Sequence, residues 1–372
     1  MRKRDFILVF GMIAVLAVGG LMTVLQKQRD FSENENRYLS HFPAVRMSSV
    51  LSGEAQEDIT DAFNDQFPVR DFWTATATKV KKAVGFQDIG GVYLGEDHYY
   101  FEKIMNQDIS QVNYFQNLRF VNRIAVLCPQ ARVTAMLVPS PGTILSEHLP
   151  AHATLYDADK MYKEAGGLLQ GVELLDIRQP MKEAKEQVYY RTDHHWTQYG
   201  AYIGYSSYSE LCGETPRAYD DFDISHFSDS FYGTLYSKAL DSQAVPDEME
   251  LPRKLPEVTV TCDGKDIGGI YDESKKDDKD KYAVYFGGNF GEVVVSVEEP
   301  KTEKSLLVIK DSFANSMISF LLEDYEEIRM LDMRYFKQPV GEYLEEYGAD
   351  EVLVLFEMSN FAQDEHLNMF AR

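Results

Sequence analysis

The sequence predicts an α/β protein built on a parallel sheet with helices on both faces, interrupted by a β-rich insertion. Three features carry that expectation. In residues 305–357, "SLLVIK" is an apolar run of strand length and "DSFANSMISFLLEDY" is helical. "IRMLDM" is a second strand, "PVGEYLEEYG" a helix closed by Gly348, and "DEVLVLFE" a last strand. Strands alternating with helices must run parallel, with the connecting helices on the sheet faces. Upstream, "ARVTAMLVPSPG" is a strand entering a Pro/Gly turn directly after a helical stretch at 110–127. Residues 219–299 change character, with "VTVTCDGKDIGGIY", the charge run "DESKKDDKDK" and "YAVYFGGNFGEVVVSVEE". These read as short strands and loops, the charge run being a solvated loop.

Taken from the N-terminus, the chain begins with basic residues ahead of an uncharged run at 6–25. At ~1.5 Å per residue, ~20 helical residues span the ~30 Å of a bilayer core. The basic flank predicts that this end stays in the cytoplasm. The run is long for a cleaved signal and no A-x-A follows it, which favours an uncleaved single-pass anchor over a signal peptide. Residues 1–28 are therefore the anchor or signal segment, and 29–57, opening on the polar "FSENENRYLSHFP", a linker. Residues 58–218 are the first part of the main domain, with a helical pattern at 58–84 and a hairpin at 90–101. The helix at 110–127 places Val112, Phe115, Leu118 and Val121 on one face. A strand near 172–177, a helix near 180–186, a short strand at 188–190 and a helix at 197–211 complete this part. The insertion is 219–299, and 300–372 is the second part of the main domain.

Composition narrows the function classes. The 372 residues exceed what one small core needs, and 44% hydrophobic with 26% charged residues is a folded composition. A net charge of −23 excludes nucleic acid as a partner and disfavours docking flat on anionic lipid. Cys128, Cys212 and Cys262 are too few and too scattered for a disulfide framework and are expected as buried thiols, one bridge being the alternative.

Two segments carry chemistry. In "YYRTDHHWTQYGAY", Asp193 and His195 are two apart, so on an extended stretch they share a side while His194 faces elsewhere. Asp193 would then fix the imidazole of His195 in one tautomer. A metal site using Asp193, His194 and His195 is the alternative. It lacks the H-x-x-x-H spacing and any cysteine cluster, so no metal is expected. A polar strand end with the histidines stacked on Trp196 is the third reading. In "SLLVIKDSFANSMISFLL", Ser312 follows a strand and precedes a helix whose first N–H groups lack partners, a place for an oxyanion. Simple helix capping by Asp311 or Ser312 accounts for the same residues.

"RTDHHWTQYGAY" together with "VIKDSFANSMISFL" resembles the DHHW-motif protein family of Gram-positive bacteria. That family is similar to the alginate O-acetylation proteins of the SGNH-hydrolase superfamily. "FSENENRYLSHFP", "DQFPVRDFW", "GVYLGEDHYYF", "LVPSPGTILSEHLP" and "LDMRYF" resemble further landmarks, so the likeness covers nearly the whole chain after the anchor. It implies an SGNH/flavodoxin-like three-layer fold and a triad of Ser312, His195 and Asp193, with the acid and base first in the chain. Relatives commonly have glycine before the D-S pair, where this chain has Lys310. The resemblance implies acyl transfer through an acetyl-serine on an extracytoplasmic domain, with no cofactor. The acetyl donor would come from a multi-span membrane O-acyltransferase, and the acceptor would be a cell-surface or secreted polysaccharide. A carbohydrate acetyl-esterase using the same triad and a non-catalytic glycan-binding envelope protein are the alternatives. Asn315, Asn289 and a backbone amide near 140–142 are candidate oxyanion donors. Arg334, at the end of a strand, is a candidate substrate contact, as is His194.

Overall fold

A computed structural model describes residues 3–367 except Glu33, Asn36 and Val45, and side chains of the first helix at Phe6 and 9–25. The chain divides into two compact units, Met1–Ile89 with Tyr236–Gln243, and Gly90–Leu235 with Ala244–Arg372.

The first unit is helical. Helix α1 spans Lys3–Leu25, α2 Glu54–Asp65 and α3 Arg70–Ala83. The single helical pattern expected over 58–84 is thus two helices. Pro68 lacks an N–H and disfavours helical geometry in the residue before it, and Val69 turns at φ 54°. Among the described residues, no helix is long and apolar enough to cross a membrane.

The second unit carries an eight-stranded sheet. A hairpin of β1 (Val92–Leu94) and β2 (Tyr100–Glu102) leads to helix α4 (Gln111–Leu127) and strand β3 (Arg132–Val138). Helix α5 (Ala158–Leu168), strand β4 (Glu173–Leu175) and the short helix α6 (Arg178–Glu183) follow. Helix α7 is Gln198–Leu211. A separate antiparallel pair is formed by β5 (Ile224–Phe231) and β6 (Asp247–Pro252). The remaining strands are β7 (Val258–Cys262), β8 (Lys265–Asp266), β9 (Glu292–Val297), β10 (Ser305–Lys310), β11 (Glu327–Leu331) and β12 (Glu351–Glu357). Helices α8 (Ala314–Leu321), α9 (Val340–Tyr347) and α10 (Met358–Gln363) follow β10, β11 and β12.

The strand order is β8-β7-β9-β11-β10-β12-β3-β4. Strands β11, β10, β12, β3 and β4 are mutually parallel, and β9, β7 and β8 extend that sheet antiparallel. Strands from the region read as an insertion therefore lengthen the main sheet. Alternation along the strands builds two cores. Met136, Val138, Leu306, Val308, Leu353 and Leu355 pack with Trp196 and with Met317 of α8. On the other face, Ala135, Leu307, Ile309 and Val354 pack with Leu118 of α4 and Val340 of α9. Strands covered on both faces read as continuous apolar runs, as these do.

Two local expectations are corrected. Val112 is exposed, because α4 buries Tyr114, Asn117, Leu118, Val121 and Ile124 instead. Asn117 occupies that buried stripe because its amide donates to the Phe361 carbonyl at 2.7 Å. The stretch 188–190 is no strand but an isolated bridge, Tyr189 opposite Trp196, which closes a tight loop around the histidines. The cysteines are free thiols, Cys262 buried and Cys128 and Cys212 half-buried. Leu353, fully buried in β12 at the middle of the sheet, contacts one of the two cores. Leu353→Ala is expected to lower stability by ~2–5 kcal/mol in denaturant titration of the purified variant, through lost transfer free energy and the cavity left behind.

Candidate active site

The parallel strands end at one rim, and the chemistry gathers there, as is usual for open α/β sheets. Asp311 and Ser312 follow β10, Asp332 and Arg334 follow β11, Asn360 lies just past β12, and 139–142 follow β3. Asp311 organises the turn. Its Oδ1 accepts from the Phe313 N–H at 2.9 Å, and its Oδ2 accepts from the Glu357 N–H at 3.0 Å and Asn360 Nδ2 at 2.9 Å. Asp311 is therefore a buried brace between β10 and β12, and burial raises its pKa above the ordinary range.

The histidine loop is brought to this rim by Trp196. Its indole is fully buried and donates to the Phe313 carbonyl at 3.1 Å and to Ser316 Oγ at 2.8 Å. A buried indole N–H needs such partners. Gln198 Nε2 adds bonds to the Ser316 carbonyl and Ser319 Oγ at 3.1 and 3.3 Å. The result is a short hydrogen-bond chain. Asp193 Oδ1 lies 2.5 Å from His195 Nδ1, and His195 Nε2 lies 2.7 Å from Ser312 Oγ. Asp193 Oδ1 also accepts the His195 backbone N–H at 2.9 Å. Acid and base share a side through this compact turn, not through the extended strand expected from their spacing.

The other oxygen of Asp193 is held by Thr234, whose N–H and hydroxyl donate at 2.7 and 3.1 Å. His194 Nδ1 then donates to Thr234 Oγ1 at 2.7 Å. His194 does not face away. Its ring lies 3.9 Å from that of His195 and borders the cleft. Tyr282 stacks on the other face of His195 at 3.8 Å between centroids and 9° between planes. Its hydroxyl donates to the Ser312 carbonyl at 3.2 Å.

Burial opposes ionisation of Asp193. The two imidazoles, the His195 bond and the Thr234 amide outweigh it and hold the carboxyl well below its usual range. Burial, reinforced by His194, lowers His195 to about 4 despite the pull of Asp193. At neutral pH this leaves a carboxylate, a neutral imidazole with its Nδ1 proton on Asp193, and an Nε2 lone pair facing the serine hydroxyl. Donor atoms of Asp193, His194 and His195 lie within 4.8 Å of one another, a spacing an ion could use. Each is already engaged as described, His195 through both ring nitrogens.

Ser312, His194, Arg334 and Asn360 line an open cleft of about 440 Å³. Arg334 holds Asp332 through Nε at 2.8 Å and Nη2 at 2.5 Å, so it both forms an ion pair and borders the cleft. Asn315 and Asn289 sit elsewhere. Asn315 is buried, donates to Asn289 Oδ1 at 3.3 Å and accepts from Lys310 Nζ at 2.8 Å. Lys310 is itself buried, with its pKa pressed down to about 8 by desolvation, and it points to this polar cluster behind the turn. Ser140 and Gly142 border a small cavity of about 20 Å³ with His194, Glu357 and Asn360.

Sequence reading missed several supports of the site. Asp247, from β6, accepts from the N–H groups of Arg191 and Thr192 at 2.9 and 3.1 Å and fixes the entry to the loop. Thr234 and Gly233 come from the same region. No motif marks them, because their partners are about forty to fifty-six residues away in the chain. Asn360 carried a weak signal, its position just past a strand end.

Fold and site together define an α/β protein with a Ser–His–Asp hydrogen-bond chain on the carboxyl rim of its parallel strands. The chain belongs to the DHHW protein family, which matches residues 76–331. It is 25% identical over 180 residues to a probable alginate O-acetylase AlgJ of Pseudomonas syringae pv. tomato, covering 45% of each chain. It is 27% identical over 167 residues to that of Pseudomonas fluorescens, covering 42% of each. The chain thus spans less than half the length of these curated relatives. Among solved structures, a DHHW family protein from Eubacterium siraeum has a TM-score of 0.64 at 18% identity, over 75% of this chain and 95% of that one. Bacillus cereus PatB1 with a sulfonyl adduct has a TM-score of 0.63 at 21% identity, over 76% and 98%. These two likenesses establish the fold.

A Cβ on Gly233 would fall 2.2 Å from Asp193 Oδ2. Gly233→Ala is therefore expected to displace the carboxylate from His195 Nδ1 while the circular-dichroism spectrum stays native, which a crystal structure of the variant checks. The pH dependence follows from His195. Below about 4 its Nε2 is protonated and cannot accept from Ser312, so the bond to the serine hydroxyl should form as pH rises through that region. Stability shifts with the same sign. Between the ordinary value of 6.5 and about 4 the unfolded chain binds a proton the folded imidazole refuses, so stability falls as pH falls across that window. His195→Gln, assayed by denaturant titration at both ends of the window, should lose that dependence.

Proposed function

We propose that this protein is an extracytoplasmic O-acetyltransferase that acts on a cell-surface or secreted polysaccharide through an acetyl-serine intermediate. The observation that carries the reading is the continuous chain from Asp193 through His195 to the half-buried hydroxyl of Ser312 at an open cleft. His195 Nε2 takes the Ser312 proton as Oγ attacks an acetyl carbonyl. Asp193 stabilises the imidazolium that forms, and His195 returns the proton to the leaving oxygen. A sugar hydroxyl, deprotonated by the same imidazole, then attacks the acetyl-serine and restores the hydroxyl of Ser312. Arg334 is the cation and Asn360 a neutral amide bordering the cleft for the oxyanion and the substrate. Asn315 braces the turn from behind through Lys310.

The curated relatives are probable alginate O-acetylases, which supports transfer to a glycan over hydrolysis. A membrane anchor at 6–25 is part of the proposal. The described apolar side chains of α1 support it, because Phe10, Met12, Ile13, Leu16 and Leu21 are exposed. Outside the cytoplasm acetyl-CoA is absent, so a multi-span membrane O-acyltransferase would have to deliver the acetyl group. The esterase reading uses the same three residues and differs only in whether water or a sugar hydroxyl arrives second.

Ser312→Ala and His195→Ala should each abolish release of p-nitrophenol from p-nitrophenyl acetate, because the three groups act as a unit. His194→Ala, which removes a cleft wall and a Thr234 contact, should cost far less. Mass spectrometry of oligosaccharide acceptors added to the assay separates the outcomes. Acetylated product supports transfer, whereas acetate alone indicates an esterase. Wild-type protein with neither activity leaves only a binding role.

A further inference from the structure

Helix α3 is turned the wrong way round for a soluble protein. Its polar side is the packed one. Thr78 Oγ1 donates to the Ala239 carbonyl at 2.7 Å, and Lys82 Nζ donates to Asp241 Oδ2 at 2.5 Å. Both acceptors lie on the Tyr236–Gln243 segment of the same unit. The opposite stripe is apolar and open. Val69, Phe72, Trp73, Val80 and Val84 follow helical spacing and are 70%, 58%, 49%, 57% and 68% exposed. This is a single continuous face, not scattered surface residues.

Charge and position name its occupant. Although the chain carries −23, α3 bears Arg70, Lys79, Lys81 and Lys82 against Asp71 alone. Lys79 and Lys81 are exposed and flank the apolar stripe. A helix with Phe and Trp on one side and lysines beside them is built for the boundary between headgroups and acyl chains. The chain also enters α3 beside the C-terminal part of α1. The Phe67 ring lies against Gly19, the Arg29 N–H donates to Gln66 Oε1 at 2.8 Å, and Gln26 donates to the Gln66 carbonyl. The start of α3 therefore sits where the apolar segment of α1 ends.

We propose that α3 is an interfacial membrane helix: Phe72, Trp73 and Val80 enter the acyl boundary of the bilayer at the foot of the anchor, and Lys79 and Lys81 contact anionic headgroups. This rests on the anchor reading but not on the acetyl-transfer reading. It adds a second, lateral attachment of the first unit to the membrane surface. The unfavourable net charge is overcome locally because charges beyond about 10 Å are largely screened at 0.1 M salt.

The chain provides its own probe. It has two tryptophans, and Trp196 is fully buried while Trp73 is not. The full chain is reconstituted into vesicles of equal parts phosphatidylcholine and phosphatidylglycerol, with phosphatidylcholine brominated at shallow or deep acyl positions. The expected result is a blue-shifted Trp73 emission that shallow bromines quench more than deep ones. In Trp73→Phe the quenching disappears. Lys79→Glu with Lys81→Glu should weaken the quenching only when phosphatidylglycerol is present. A chain that floats with the vesicles but shows no Trp73 quenching overturns the proposal, keeps the anchor and assigns the apolar face to a protein partner. A chain that does not float overturns both. Ester turnover of Trp73→Phe in detergent should equal wild type, which separates either failure from loss of the acyl-transfer site.

Discussion

The site depends on a single buried side chain, the indole of Trp196. Its N–H reaches both the Phe313 carbonyl and Ser316 Oγ, and so joins two segments 117 and 120 residues apart. Leaving that donor unpaired in an apolar core would cost ~1–3 kcal/mol, so the loop of the histidines and the turn of the serine are held in one relative position. From this clamp follow the closeness of His195 to Ser312 and the packing of α7 on α8. The paired histidines and aspartate are meaningful only because the tryptophan that follows them is anchored.

Around that clamp, each polar group is oriented by another. Thr234 and the His195 amide leave the Asp193 carboxylate little freedom, Asp247 secures the chain just before it, and Asp311 ties the turn of Ser312 to β12. Positions fixed by neighbours need no reorganisation when charge moves, which is the condition for electrostatic stabilisation in a partly dry cleft. Tyr282 on one face of His195 and His194 on the other complete the enclosure, while the cleft side of Ser312 stays open.

Lys310 sets the polar surroundings of the turn. Just before Asp311 the chain buries an ammonium against Asn315 Oδ1, with Asp332 3.9 Å away. Asp332 in turn grips Arg334 at the cleft edge. A buried cation needs such partners to be tolerated. The lysine therefore belongs to a polar cluster that sits under the turn and links it to the arginine, while the serine keeps its bond to His195.

What the sequence determined is local and periodic. The apolar runs of β10, β12 and β3 and the helical spacing between them announced a parallel sheet, because strands covered on both faces have to be apolar throughout. The D-x-H-W and D-S-F blocks were legible because an aspartate beside two histidines, and a serine between an apolar strand and a helix, stand out in the local pattern. The hairpin at Val92–Glu102 was equally plain from its alternation and its glycines. The break between α2 and α3 is written in Pro68, yet apolar spacing alone ran the two helices together. Only the tertiary structure decided the rest. It made β7, β8 and β9 an edge of the main sheet, put Asn117 in the place expected for Val112, and set His194 against His195. It also placed Gly233, Thr234 and Asp247 around Asp193, and turned the apolar face of α3 outward. These outcomes hang on contacts between residues far apart in the chain, and a one-dimensional pattern records how a segment distributes its own polarity but not which remote segment will satisfy it.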